Sequence, residues 1–174
     1  MISETEQAKI LTELQDLKTY LNKNLSLECQ IIQEQSDVPI NSLVILLEPD
    51  SQERSRLASL TFLPLEDTDL ESIKLLQFYC QLPISLSSDF SDEVLRFLAR
   101  VNLQIPLGTF TIDFEEEKVG FKYVYSLGKF KLIEPDEFLE TFLLWMYTLD
   151  KISDLIEAVS TGQKDVQSAC QELL

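Results

Sequence analysis

The side chains in this sequence that could do chemistry are carboxylates and thiols, because its 174 residues hold thirty Asp and Glu, three Cys and no His. The missing histidine removes serine-histidine and cysteine-histidine nucleophile systems, imidazole general bases and histidine-bearing zinc sites within one chain. Paired carboxylates could still act as acid and base, as in glycoside hydrolysis. Thirty acids offer too many pairs for proximity in sequence to select one, and Glu115, Glu116 and Glu117 have the pattern of a solvated turn.

Asp67, Asp69 and Glu71 alternate like a calcium ligand set but lack the glycine and distal glutamate of an EF-hand loop. Glycine occurs only at 108, 120, 128 and 162, which leaves neither GxGxxG nor a Walker phosphate loop. Cys29, Cys80 and Cys170 are odd in number, far apart and without CxxC spacing, so buried free thiols are expected. No catalytic residue, cofactor site or metal site is expected, and a non-enzymatic protein follows.

A formal charge of −16 repels a phosphate backbone, so nucleic acid is an unexpected partner. The densest apolar run, Phe142 to Leu149, is too short to span a bilayer, and Glu4 and Glu6 stand where a secretory signal would be basic. The expectation is a cytoplasmic protein that does not engage a membrane.

The elements that must position any site are legible as changes of period. A single domain over 1–174 is expected, with 45% hydrophobic residues to fill its core. Ser3 and Glu6 have capping-box spacing, and Ile10, Leu14, Leu17 and Leu21 draw one stripe along an opening helix over 1–22. From Leu25 the period is two, with Leu25, Leu27, Cys29 and Ile31 on one face of a half-buried strand. Leu43 to Leu47 is continuously apolar and predicts a more deeply buried strand; Ala58, Leu60 and Phe62 alternate in a third. Residues 48–72 carry seven acids against Arg54 and Arg56, the pattern of a solvated face. Ile73 to Leu82 fits either period and is assigned as the fourth strand of the 25–83 region, with Pro83 closing it.

A middle helix over 91–105 has Ser91 as N-cap, Phe90 and Leu95 at hydrophobic-staple spacing, and Val94, Leu98 and Val101 along one face. Phe110, Ile112 and Phe114, then Phe121, Tyr123 and Tyr125, mark the two arms of a hairpin over 109–126. Lys118, Lys122, Lys129 and Lys131 make this region locally neutral, which cross-strand pairing and lysine protection of a sheet edge explain. Pro135, Asp136 and Glu137 open a long helix over 135–161. Its positions Phe138, Phe142, Trp145, Leu149, Ile152, Ile156 and Val159 form a heptad-type seam. Leu139, Leu143, Leu144, Met146 and Tyr147 widen that seam, so this part of the helix requires cover on more than one side. Gly162 ends it, and a segment over 163–174 forms a weakly capped closing helix.

The order helix, four strands, helix, two strands, long helix resembles the YbjN-like proteins and the wider type III secretion chaperone-like fold. Leu75 to Pro83, Val94 to Asn102 before Pro106-Leu107-Gly108, Thr109 to Phe114, Gly120 to Ser126 and Pro135 to Leu143 carry the resemblance. It implies a small acidic, non-enzymatic and often dimeric protein that holds or regulates another polypeptide, with no catalytic residues to transfer.

The fold class expected is therefore α+β, an antiparallel sheet packed against helices. The function expected is a polypeptide-binding module, chaperone-like or regulatory, that uses apolar sheet or helix surface with acidic flanks and can form a homodimer. Phe138, Phe142, Trp145 and Leu149 are the candidate interface residues, with plain core packing as their other reading. A regulator that senses a small ligand would instead need an enclosed, partly polar cavity, and an enzyme would need convergent carboxylates or a cysteine in a pocket.

Overall fold

A computed structural model describes residues 4–33, 40–64, 71–84 and 86–173. The capping box beginning at Ser3, and Asp67 and Asp69 of the alternating acidic set, lie outside the described residues, while Glu71 is exposed. Among those described, the order is α1 (Glu4–Leu25), β1 (Glu28–Ile32), β2 (Ser42–Leu47), β3 (Arg56–Phe62), β4 (Ile73–Gln81), α2 (Ser91–Val101), β5 (Thr109–Asp113), β6 (Lys118–Gly128), α3 (Pro135–Ser160) and α4 (Val166–Gln171). The strands form one open antiparallel sheet in the order β1-β2-β3-β4-β6-β5, so the fold is α+β and the ambiguous 73–82 stretch is a strand.

The chain forms two compact units: residues 1–48, 57–79 and 124–141 make the first, and 49–56, 80–123 and 142–174 the second. In the first unit, Leu14, Leu17 and Leu21 of α1 are buried, and α1 packs on β1 and β2. The helix does not stop at residue 22. Leu25 continues the i+4 row from Leu21 as readily as it starts an alternation, so the helix takes it and β1 begins only at Glu28. Ser26 then closes the helix in the left-handed region at φ 55°, its N–H donating to the Asn22 carbonyl at 3.0 Å. A side chain there is strained, so Ser26→Gly should raise stability by about 0.5–1 kcal/mol in urea unfolding.

β2 pairs antiparallel with β1, Cys29 opposite Ile45 and Ile31 opposite Leu43. It is buried on one face only: Leu43, Ile45 and Leu47 point inward while Leu46 is exposed. Continuous apolar sequence therefore misled about depth. The inward face continues through Ala58, Leu60 and Phe62 of β3 and Leu76 and Phe78 of β4, with Phe138 set 5.8 Å from Phe78 between ring centres. Lys74, half-buried, pairs with Glu13 of α1, and its ammonium lies 5.4 Å from the centre of the Phe62 ring.

In the second unit, Ser91 is the first residue of α2, with Phe90 in the N-cap position instead; a 3-10 turn at Ser88–Phe90 precedes the helix, with Ser87 accepting from the Asp89 N–H. Leu95 is exposed, and Phe90 is used elsewhere than in a staple: its ring lies where a Cβ on Gly162 would be, at 2.4 Å. α2 stops at Val101 because Asn102 turns to β5, donating to the Phe110 carbonyl at 3.0 Å and accepting from its N–H at 2.9 Å. In the hairpin, Phe110 stands opposite Phe121, while Phe114 lies beyond β5 in the turn and is exposed. Since β6 runs between β4 and β5, its lysines protect no edge; Lys118 instead stands opposite Asp113 and pairs with Glu116. The closing helix is better capped than its sequence suggests, because the Asp165 carboxylate accepts from the Ser168 N–H at 2.7 Å. That bond holds the Asp165 carboxyl below the usual carboxylate range.

Candidate polypeptide-binding surfaces

Phe138, Phe142, Trp145 and Leu149 are each 0% exposed. Phe138 belongs to the core of the first unit and the other three to that of the second. Trp145 stacks on Phe121 at 5.5 Å between ring centres, and Phe121 on Phe110 at 4.2 Å. The rest of the seam, Ile152, Ile156 and Val159, is buried as well. Core packing is thus where the structure puts all four candidates. The widening residues behave differently: Leu143, Leu144 and Tyr147 are exposed rather than covered.

The pair Arg54 and Arg56 is not solvated either. Arg54 donates to both oxygens of Glu157 at 2.8 and 2.7 Å and through Nε to Asp50 at 2.7 Å. Burial works to raise the Asp50 carboxyl, and hydrogen bonds from the N–H groups of Arg54 and Gln52 and from the Arg54 guanidinium outweigh it, so it sits below its ordinary value. The Arg56 side chain is only 3% exposed at the start of β3 and pairs with Asp150 of α3, which is 55% exposed. Ser51 and Gln52 add hydrogen bonds to Asp154 and Glu157. These contacts tie 49–56 to α3 as a structural ion-pair network, with its oxygens already taken by arginine. The sequence signal was present in the strand register, since Arg56 falls on the same parity as Ala58, Leu60 and Phe62.

Of the three free thiols only Cys80 is buried, and burial pushes it up to about 12. A thiol held protonated is a poor nucleophile. At pH 8, a thiol reagent should modify Cys29 and Cys170 in the native protein and reach Cys80 only after denaturant, as counted by intact mass. Rapid native modification at Cys80 would contradict this placement. Glu116 and Glu117 border a shallow hollow of about 280 Å³ beside Pro83, as exposed turn residues. Among the described residues no group of three or more Cys, Asp or Glu is placed to hold a metal ion. No described helix is long and apolar enough to cross a membrane.

The second face of the sheet in the first unit also carries exposed apolar side chains. Ile32 (36%), Leu46 (40%), Leu57 (57%) and Ile73 (36%) are exposed there, with Val44, Leu75 and Tyr79 half-buried among them. A solvated sheet face ordinarily alternates to polar residues at these positions. β2 does not, because Val44 and Leu46 follow the same apolar run as Leu43 and Ile45. The Ser42 and Thr61 hydroxyls bond across β2 and β3 at 2.8 Å on this outer face, and Glu28 stands opposite Leu46 on β1. Leu46 and Leu57, neighbours in register on β2 and β3 with Val44 beside them, form a small apolar patch next to a carboxylate on the edge strand, set apart from Ile32 and Ile73 by the Ser42–Thr61 pair, and on it an extended chain can lay alternate side chains.

Compared with known proteins, the chain matches no protein-family model and no curated protein.

Proposed function

We propose that the protein is a non-enzymatic polypeptide-binding module, chaperone-like or regulatory, that works in the cytoplasm and holds its partner against the outer face of β1 to β4. The observation that carries this reading is the neighbouring pair Leu46 and Leu57, exposed on β2 and β3, whose opposite face is a closed core. Burying such side chains is worth about 25 cal/mol per Å² removed from water, so a few of them supply the apolar centre of an interface. Glu28 opposite Leu46 and the overall charge of −16 favour a neutral or basic segment. The resemblance of element order to YbjN-like and secretion chaperone-like proteins points to the same class of activity.

The test is capture from native lysate by the wild-type chain and by a Leu46→Lys, Leu57→Lys variant, both shown to unfold at similar temperature. One polypeptide retained stoichiometrically by the wild type and lost from the variant is the expected result. An identical set of partners on both chains, or none on either, would overturn the sheet-face assignment. A second copy of the chain as the retained species would show up as a concentration-dependent mass in sedimentation and would make the surface a homodimer interface.

A further inference from the structure

We propose that the groove between α2 and α4 is a separate docking site, and that it accepts an acidic amphipathic helix of a partner polypeptide. α2 turns Val94, Phe97, Leu98 and Val101 inward, which leaves a second row on its outer side. Leu95 (47%) and Ala99 stand exposed one turn apart, and Leu103, one turn further on, is 86% exposed. α4 packs against α2, and its Val166 and Gln167 form the other wall of a groove of about 640 Å³.

Charge identifies the occupant. The chain has four arginines, of which Arg54 and Arg56 are engaged by Glu157, Asp50 and Asp150. Arg96 and Arg100 both line the groove, and among the described residues neither guanidinium makes a hydrogen bond or an ion pair. That is unexpected in a chain of charge −16, and more so because Asp92 lies one turn before Arg96 on the same helix. The helix dipole accounts for a cation in the last turn, where Arg100 sits, but not for Arg96. Residues one turn apart have Cβ atoms about 6 Å from each other, so the two guanidinium groups match carboxylates one turn apart on an approaching helix. The apolar residues of that helix would cover Leu95, Ala99 and Leu103 in the helix-in-groove manner. This partner is opposite in charge to the one proposed for the sheet face, and the two sites share no residue.

Selection of a random-peptide phage library against the whole chain tests this directly. Enriched peptides should be helical in pattern, carry Asp or Glu at i and i+4 beside Leu, Ile or Phe, and bind a Arg96→Glu, Arg100→Glu variant roughly tenfold or more weakly. They should bind the Leu46→Lys, Leu57→Lys variant as tightly as wild type, which separates failure here from failure of the sheet-face reading. Basic or charge-free winners, affinity unchanged in the Arg96→Glu, Arg100→Glu variant, or no enrichment at all would overturn the proposal. Thermal unfolding of that variant close to the wild-type midpoint shows that lost binding is not lost folding, since both arginines are exposed.

Discussion

Trp145→Ala should cost about 3–5 kcal/mol of folding stability, whereas Tyr147→Ala, two residues along the same helix, should cost less than about 0.5 kcal/mol. Trp145 is fully enclosed and stacked on Phe121, which is itself stacked on Phe110, so truncation removes one end of a three-ring column and leaves a cavity. Tyr147 is 62% exposed and loses little. For a chain of this length the tryptophan change corresponds to a fall of roughly 10 °C in the unfolding midpoint. Where Trp145→Ala is too unstable to purify, Trp145→Phe preserves the column in part and should show a smaller loss in the same direction. Equal effects at the two positions would mean that the faces of α3 are assigned the wrong way round.

Asp150→Ala should be more damaging than Arg56→Met, by an expected 2–4 kcal/mol against less than about 1 kcal/mol. The asymmetry comes from burial. Removing Asp150 takes a facing carboxylate away from an enclosed guanidinium, and weakening the pairing of a charge held away from water is expensive. Removing Arg56 leaves a carboxylate that already has access to solvent, and methionine fills the inward position on β3. Urea unfolding of the two variants and the double variant gives the order, and the double should resemble Arg56→Met. A more severe loss in Arg56→Met than in Asp150→Ala would contradict the placement of the arginine.

Periodicity carried most of the architecture. Leu14, Leu17 and Leu21, or Phe138, Phe142 and Trp145, mark helices because each core-facing side chain recurs with the turn, and the structure buries all of them. It failed where one residue satisfies two periods, as Leu25 does, and where apolar residues occupy both parities, as in Leu43 to Leu47, because alternation cannot then say which face is open. The same failure hid the candidate surface. Leu46 looks like core from the continuous apolar run and stands exposed, while the most core-like stripe in the chain proved to be core and offers no surface. Composition misplaced Arg56, since an arginine in an acid-rich stretch reads as solvated until strand parity is applied to it. Arg96 and Arg100 carry no motif at all; what distinguishes them is the absence of partners among the described residues, and only coordinates reveal it.

The proposed polypeptide contact lies on the outer sheet face and not on the α3 seam. Site-specific photocrosslinking tests this, with a photoreactive phenylalanine at Leu57 and, in a second chain, at Phe130, a more exposed loop position. One dominant polypeptide adduct is expected from position 57 in native lysate, and none in common from position 130. No adduct at 57, or the same spread of adducts from both positions, would contradict it.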